Sequence, residues 1–175
     1  MSVQYRPAAS PGELQAILEL QGENLRDSLT PEEREREGFV TLRYTLQELA
    51  GMQAQGPQMV AFDGDRLIGY ALSLTPGLRQ QVPTLEPLFS VLEKTTPPLP
   101  PYRLMGQVCI RKGYRGVGHL RALYERLKER VSPDTLVTEI SQENRRSLKA
   151  HGKMGFKKIA ERQGEGQVWD IVLWE

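Results

Sequence analysis

The chain has 175 residues, with 23 lysines and arginines against 22 aspartates and glutamates, two histidines and one cysteine. Near-balanced charge gives no global field to draw it to nucleic acid or anionic lipid, and no apolar run reaches the roughly 20 residues of a membrane span. A lone cysteine excludes an intramolecular disulfide, and Cys109, His119 and His151 are too few to build a zinc site, so no metal is expected. The opening stretch MSVQYRPAASPGELQ lacks the apolar core of a signal peptide. The expectation is one cytoplasmic domain over residues 1–175, long enough to bury roughly 70% of its unfolded surface.

VQYRPA reads as an edge strand. Ser10-Pro11-Gly12-Glu13 then forms a helix start, with proline at the first helical position, and Leu14, Ile17, Leu18 and Leu25 supply the apolar stripe. Thr30-Pro31-Glu32-Glu33 repeats that signal, predicting a second helical region through Leu49 in which EEREREG is a solvated face. From Met59 the pattern turns to strands: MVAF, the turn Asp63-Gly64 and RLIGYALSL make a hairpin. Residues 76–101 hold seven of the twelve prolines and end in PPLPP. They read as a rigid connection with one short helix around LEPLFSVLEK. YRLMGQVCI is a buried strand.

That strand runs straight into RKGYRGVGHLRALYERL, residues 111–127. Each of Gly113, Gly116 and Gly118 would cost about 1 kcal/mol relative to alanine inside a helix. Leu120, Leu123, Tyr124, Leu127 and Val131 nevertheless recur at helical spacing. The segment therefore reads as strand end, glycine loop, helix start. A helix start offers unpaired N–H groups and the positive end of a dipole, and glycines let an anion approach the backbone, phosphate first among candidates. DTLVTEI is the next strand, NRRSLKAHGKM a short helix closing at a left-handed Gly155, and KKIAERQ and QVWDIVLW the last two strands. This order fits a mixed sheet covered by helices. The loop is not a mononucleotide P-loop, because His119 follows Gly118 where lysine is needed, and a dinucleotide fingerprint fails at Arg121.

Ile110-x-x-x-Tyr114-Arg115-Gly116-x-Gly118 resembles the acetyl-CoA signature of the GNAT-type N-acetyltransferases, Arg/Gln-x-x-Gly-x-Gly/Ala, with Leu120 at the last, usually small, position. Asn144-x-x-Ser147-x-x-x-His151-x-Lys153-x-Gly155-Phe156 is similar to that family's Asn-x-x-Ala-x-x-x-Tyr-x-Lys-x-Gly-Phe helix, with Ser for Ala and His for Tyr. The resemblance covers residues 57–175 well and the N-terminal region loosely. It implies an α/β (α+β) fold: a mixed, mostly antiparallel sheet with splayed middle strands and helices on both faces. It implies acetyl-CoA as co-substrate, without a metal, and transfer to a primary amine by direct attack in a ternary complex. The acceptor is a small-molecule amine, or a protein N-terminus or lysine, with no nucleic-acid or membrane partner, and a homodimer is compatible with the family. The contrasting reading is a non-catalytic acyl-CoA-binding or regulatory module.

By this resemblance the N–H groups of Arg115, Gly116, Val117, Gly118, His119 and Leu120 cradle the pyrophosphate, and the Arg115 side chain adds charge. The backbone of Val108, Cys109 and Ile110 pairs with the pantetheine arm, one amide polarising the thioester carbonyl. Asn144 bonds cofactor or backbone, and Ser147 lies on the cofactor side. His151 stands where the family's tyrosine protonates the departing thiolate; it either does so or contacts cofactor or local structure. Glu139 takes the amine's proton or pairs with a surface arginine. Phe39, Thr41 and Tyr44 roof the acceptor pocket or pack in the core, and Gln107 orients a water or fills a hydrogen-bonding slot. Cys109 is a small buried strand residue, the acyl-cysteine alternative lacking a visible base.

Overall fold

Seven strands, β1 (Gln4–Pro7), β2 (Met59–Asp63), β3 (Arg66–Leu74), β4 (Tyr102–Ile110), β5 (Thr135–Ser141), β6 (Lys157–Gly164) and β7 (Gln167–Trp174), form one sheet in a computed structural model that describes residues 2–175. Their spatial order is β1-β2-β3-β4-β5-β7-β6. Every neighbouring pair is antiparallel except β4 and β5, which run parallel. The Asp63-Gly64 turn closes the β2–β3 hairpin with Gly64 at φ 59°. Between β6 and β7 the turn uses Glu165 and Gly166, both at positive φ, as a tight hairpin requires.

β4 and β5 touch only along Tyr102–Leu104 against Thr135–Val137. Beyond that point they diverge, and the Thr138 hydroxyl, donating to the Met105 carbonyl at 3.1 Å, is the last tie between them. Residues 105–110 of β4 keep β3 on one side and have no strand on the other. The sheet is splayed in its middle.

Helices cover both faces. α1 (Pro11–Asn24), capped by Ser10, and α3 (Leu46–Gln55) bury Leu14, Ile17, Leu20, Leu49 and Met52 on one face. α5 (His119–Val131) buries Leu123, Tyr124, Leu127 and Val131 on the other. Each such side chain contributes about 1.5–3 kcal/mol by leaving water. α6 (Arg145–Met154) lies beside β5, and Gly155 ends it at φ 105°, the left-handed cap read from the sequence. Among the described residues no helix is long and apolar enough to cross a membrane.

Two stretches depart from the sequence reading. The helical region expected through Leu49 is broken in two: α2 (Pro31–Glu37) stops at Gly38, whose φ is 73°, and α3 begins afresh. A second capping box restarts the helix, the Thr45 hydroxyl accepting from the Glu48 N–H and the Glu48 carboxylate from the Thr45 N–H. Between the two helices the chain runs beside the end of α1, where the Val40 N–H donates to the Asn24 carbonyl at 2.9 Å. Nor is EEREREG wholly a solvated face, since Arg34 donates to the carbonyls of Arg26 and Leu29 and Glu37 pairs with Arg115.

The second departure is residues 76–101. The short helix is present as α4 (Glu86–Leu92), and the prolines of PPLPP are exposed as a spacer's would be. The segment before them is packed, however. Leu78, Leu85, Leu88, Phe89 and Leu92 are buried in the same core as α1 and α3. Apolar burial, not proline stiffness, fixes this connection against the sheet.

Candidate active site

β4 ends at Ile110 and α5 starts at His119, with Gly118 as its N-cap at φ 98° and no side chain capping it. Gly116 is also left-handed, at φ 82°, and a Cβ built on either glycine would meet no atom within 4 Å. The first N–H groups of α5 are thus reached through open space, the arrangement that binds phosphate at a helix start. Val117 is exposed at the tip, and Leu120 packs on the α5-side core.

The two larger side chains of the loop are anchored. Arg115 donates from Nε to the Ile110 carbonyl at 2.7 Å and from Nη1 to the carbonyl and carboxylate of Glu37 at 3.1 and 2.9 Å; Nη2 bonds Asn24 Oδ1. The charge expected to face a phosphate is therefore largely committed to holding β4, α1 and α2 together. His119 Nδ1 bonds the Tyr5 hydroxyl at 2.6 Å, tying β1 to the loop, and its ring lies beside Tyr114.

From this loop a groove of about 400 Å³ runs along the unpaired edge of β4 toward α6. Val108, Cys109 and Ile110 form one wall, and Asn144, Ser147 and His151 the other. Asn144 caps α6, accepting from the Ser147 N–H at 3.2 Å, and its amide donates to the Phe39 carbonyl at 2.8 Å; of its two sequence readings, these are the backbone bonds. The Cys109 thiol is buried and pushed up to about 12, chiefly by desolvation. It is not a nucleophile at neutral pH.

His151 is buried and hydrogen-bonded at both ring nitrogens. Nδ1 lies 2.8 Å from the Ser147 carbonyl, which can only accept, so Nδ1 carries the proton and Nε2, 2.8 Å away, accepts from the Tyr124 hydroxyl. Tyr124 and Phe156 set their ring edges against the imidazole. Burial lowers its pKa from 6.5 to about 4, the Ser147 carbonyl opposing only in part. At neutral pH it is an uncharged imidazole with no vacant nitrogen, and not the protonated group that an acid at this position requires.

A second, smaller cavity of about 80 Å³ lies across the splay and shares Phe39, Val40, Val108, Asn144, Ser147 and His151 with the groove. The two spaces meet at the β4–β5 gap. Thr41, Gln107 and Glu139 line the smaller one, as does Phe39, so four residues assigned to acceptor or base come together. Tyr44 does not; it is buried beneath, donating to the Gly106 carbonyl at 3.1 Å. Glu139 is held by Arg162 through two bonds of 2.6 and 2.8 Å, and that guanidinium is itself buried over the Trp169 ring. Gln107 accepts from Tyr70 at 2.6 Å and Gln21 at 3.0 Å and donates to the Leu42 carbonyl at 2.8 Å. It pins residues 39–44 over the gap. Leu85, Leu88, Met105 and Trp169 are among the rest of its wall, and sequence reasoning missed all four. The alternation of β4 signals Met105, but nothing local in the sequence marks the other three. Among the described residues no cluster of histidine, cysteine or carboxylates has the makings of a metal site.

The sequence matches no family model and no curated protein. Solved structures do match over nearly the full chain. An Escherichia coli ribosomal-protein-S18-alanine N-acetyltransferase superposes with TM-score 0.66 at 11% identity, covering 98% of this chain and 92% of its own. A GNAT-family acetyltransferase of Streptococcus agalactiae gives 0.67 at 16%, covering 98% and 94%. Arabidopsis thaliana NAA60, in complex with acetyl-CoA, gives 0.66 at 13%, covering 99% of each chain. The splayed sheet, the glycine loop at the start of α5 and these superpositions agree: the chain has the fold of the GNAT N-acetyltransferases.

Proposed function

We propose that the protein transfers an acetyl group from acetyl-CoA to a primary amine by direct attack in a ternary complex. One observation carries the reading: an open, glycine-lined helix start leads into a groove along an unpaired strand edge, and that groove meets a second cavity at Val108 and Ser147. The residues fit a CoA thioester. The N–H groups at 116–120 suit a pyrophosphate, and the free edge of β4 at 108–110 suits the amide-bearing pantetheine arm. An N–H of that edge is a preorganised donor for the thioester carbonyl as its oxygen gains charge.

The smaller cavity supports a particular route for the amine. Beside its polar residues the cavity presents Leu85, Leu88, Met105 and Trp169, and desolvation against that apolar part of the wall favours the neutral, nucleophilic form of an amine. Both Glu139 oxygens accept from Arg162, so in this reading Glu139 serves as the partner of that arginine and the amine gives up its first proton to solvent before it enters. As the C–N bond forms and the C–S bond breaks, the nitrogen's surplus proton passes to the sulfur. In this reading Ser147, a residue that lines both cavities, relays it through its hydroxyl. His151 holds that turn of α6 and is a positioning residue.

The engagement of His151 and Glu139 by internal partners also favours a second reading, a module that binds acyl-CoA without turnover. The experiment tracks free CoA release over a panel of primary amines and peptides, beside a calorimetric titration with acetyl-CoA. Binding together with amine-dependent release supports the transferase. Binding without release across the panel supports the module, and no binding contradicts both.

A further inference from the structure

β3 and β4 are antiparallel neighbours, a pair that about two to five residues suffice to join. Here residues 75–101 join them, and much of that connection is packed instead of looped out. Its leucines enter the core of α1 and α3, and α4 rests against β6. Leu85 and Leu88 reach the wall of the smaller cavity, which no hairpin turn could do.

That cavity is open on one side and closed on the other. Thr41 is exposed and Phe39 half-buried where the chain crosses the β4–β5 gap. Leu85, Leu88 and Met105 are at most 2% exposed and Trp169 is 6% exposed, so the connection forms a blind floor. The polar side chains nearby are engaged by the protein: the Thr138 hydroxyl donates to the Met105 carbonyl, Gln107 has three partners, and Glu139 is held by Arg162. A polar group pressed against that floor would give up water with little to replace it, whereas hydrocarbon gains by leaving water.

We infer that the β3–β4 connection is the acceptor-selecting element of this protein, with Leu85 and Leu88 as a floor that admits only a short hydrocarbon segment next to the amine. The inference rests on the transferase reading above, in which the donor fills the groove and the amine meets the thioester from the smaller cavity. The amine's substituent then occupies the space of about 80 Å³ that the two leucines bound. Selection is steric: one methylene too many or too few in a hydrophobic pocket changes kcat/KM by roughly 10- to 200-fold.

The test follows CoA release from acetyl-CoA with straight-chain primary amines from ethylamine to octylamine, beside calorimetric titration of the same amines into the protein's complex with CoA. Wild-type kcat/KM is expected to peak at a short amine and to fall at least about tenfold by the longest. Leu88→Ala deepens the floor and should move the peak to longer amines; Leu88→Phe fills it and should move the peak to shorter ones. Denaturant midpoints show which variants fold, and Leu85→Val and Leu88→Val, which remove less, should shift the profile in the same sense as Leu88→Ala if that variant does not. Opposite shifts from the two kinds of variant support the inference, because a merely structural leucine would lower turnover of every amine alike. An unmoved peak or a uniform loss overturns it and leaves the transferase standing, as does a shift confined to the donor when propionyl-CoA and butyryl-CoA replace acetyl-CoA. A length cut-off that moves in the titrations of a protein that acetylates no amine supports the floor and overturns the transferase. Neither heat nor acetylation with any of these amines overturns the inference.

Discussion

The two ends of the groove differ in how their polar groups are satisfied. At the glycine loop, Gly116 and Gly118 open onto empty space, and Arg146, Lys149 and Lys153 of α6 line the groove beside them. At the β4–β5 gap nearly every polar side chain has a protein partner: Gln107 three, Asn144 two, His151 both ring nitrogens, Glu139 a bidentate arginine. Open donors describe a ligand. Closed networks describe architecture, here the fixing of residues 39–44 and of the first turns of α6 around the gap. On the proposed reading the loop end binds the cofactor, and the gap end positions the acceptor and excludes water.

The contrast breaks most visibly at Glu139. Glu139→Gln leaves the buried Arg162 with only the half-exposed Glu165, and stability should fall by about 3 kcal/mol, read as a shifted denaturant midpoint. Turnover at saturating amine should stay within about tenfold of wild type, whereas a general base would lose roughly 100- to 10,000-fold.

His151 gives the next largest effect, through pH. As the pH falls through 6.5 the unfolded chain protonates this imidazole, while the folded protein keeps it neutral until about 4. Its contribution is thus complete above about pH 6.5 and is lost progressively toward pH 4, by about 3 kcal/mol for a shift of that size. Denaturation from pH 4 to 7 should show this slope in the wild type and a flatter one in His151→Gln. Turnover from pH 6 to 8 should carry no titration of His151, and one that disappears in His151→Gln would restore the acid role.

Gly118→Glu sharpens the other side of the contrast. It sets bulk and negative charge at a left-handed N-cap and should weaken acetyl-CoA by at least tenfold, about 1.4 kcal/mol, by calorimetry. Cys109→Ala should do least: turnover within about twofold of wild type and no acetyl adduct on Cys109 by mass spectrometry, because a thiol pushed up to about 12 offers almost no thiolate.

The cofactor end is readable in the sequence because its signals are local. Glycines at 116 and 118, a strand before them and an amphipathic stripe after them lie within some twenty residues, and Asn144 to Gly155 is a single helix with both caps written in it. The acceptor end is assembled over long separations, with Gln21 and Gln107 86 residues apart and Phe39 and Asn144 105 apart. Sequence alone leaves Glu139 a choice between base and partner of a surface arginine; the arginine that holds it is buried, in the strand β6 after α6. The role of His151 turns on Tyr124, a residue that helical periodicity can mark only as core. Leu85 and Leu88 reach the site because an apolar connection folds back over the sheet, which proline content alone conceals.

The central claim is that backbone amides at the start of α5 hold the cofactor's pyrophosphate. Heteronuclear NMR of the ¹⁵N-labelled chain, titrated with acetyl-CoA, observes those amides one by one. The account predicts that the N–H resonances of Gly116, Val117, Gly118, His119 and Leu120 shift most, saturating together with those of Val108–Ile110. Saturable binding that leaves the 116–120 amides unmoved would contradict it.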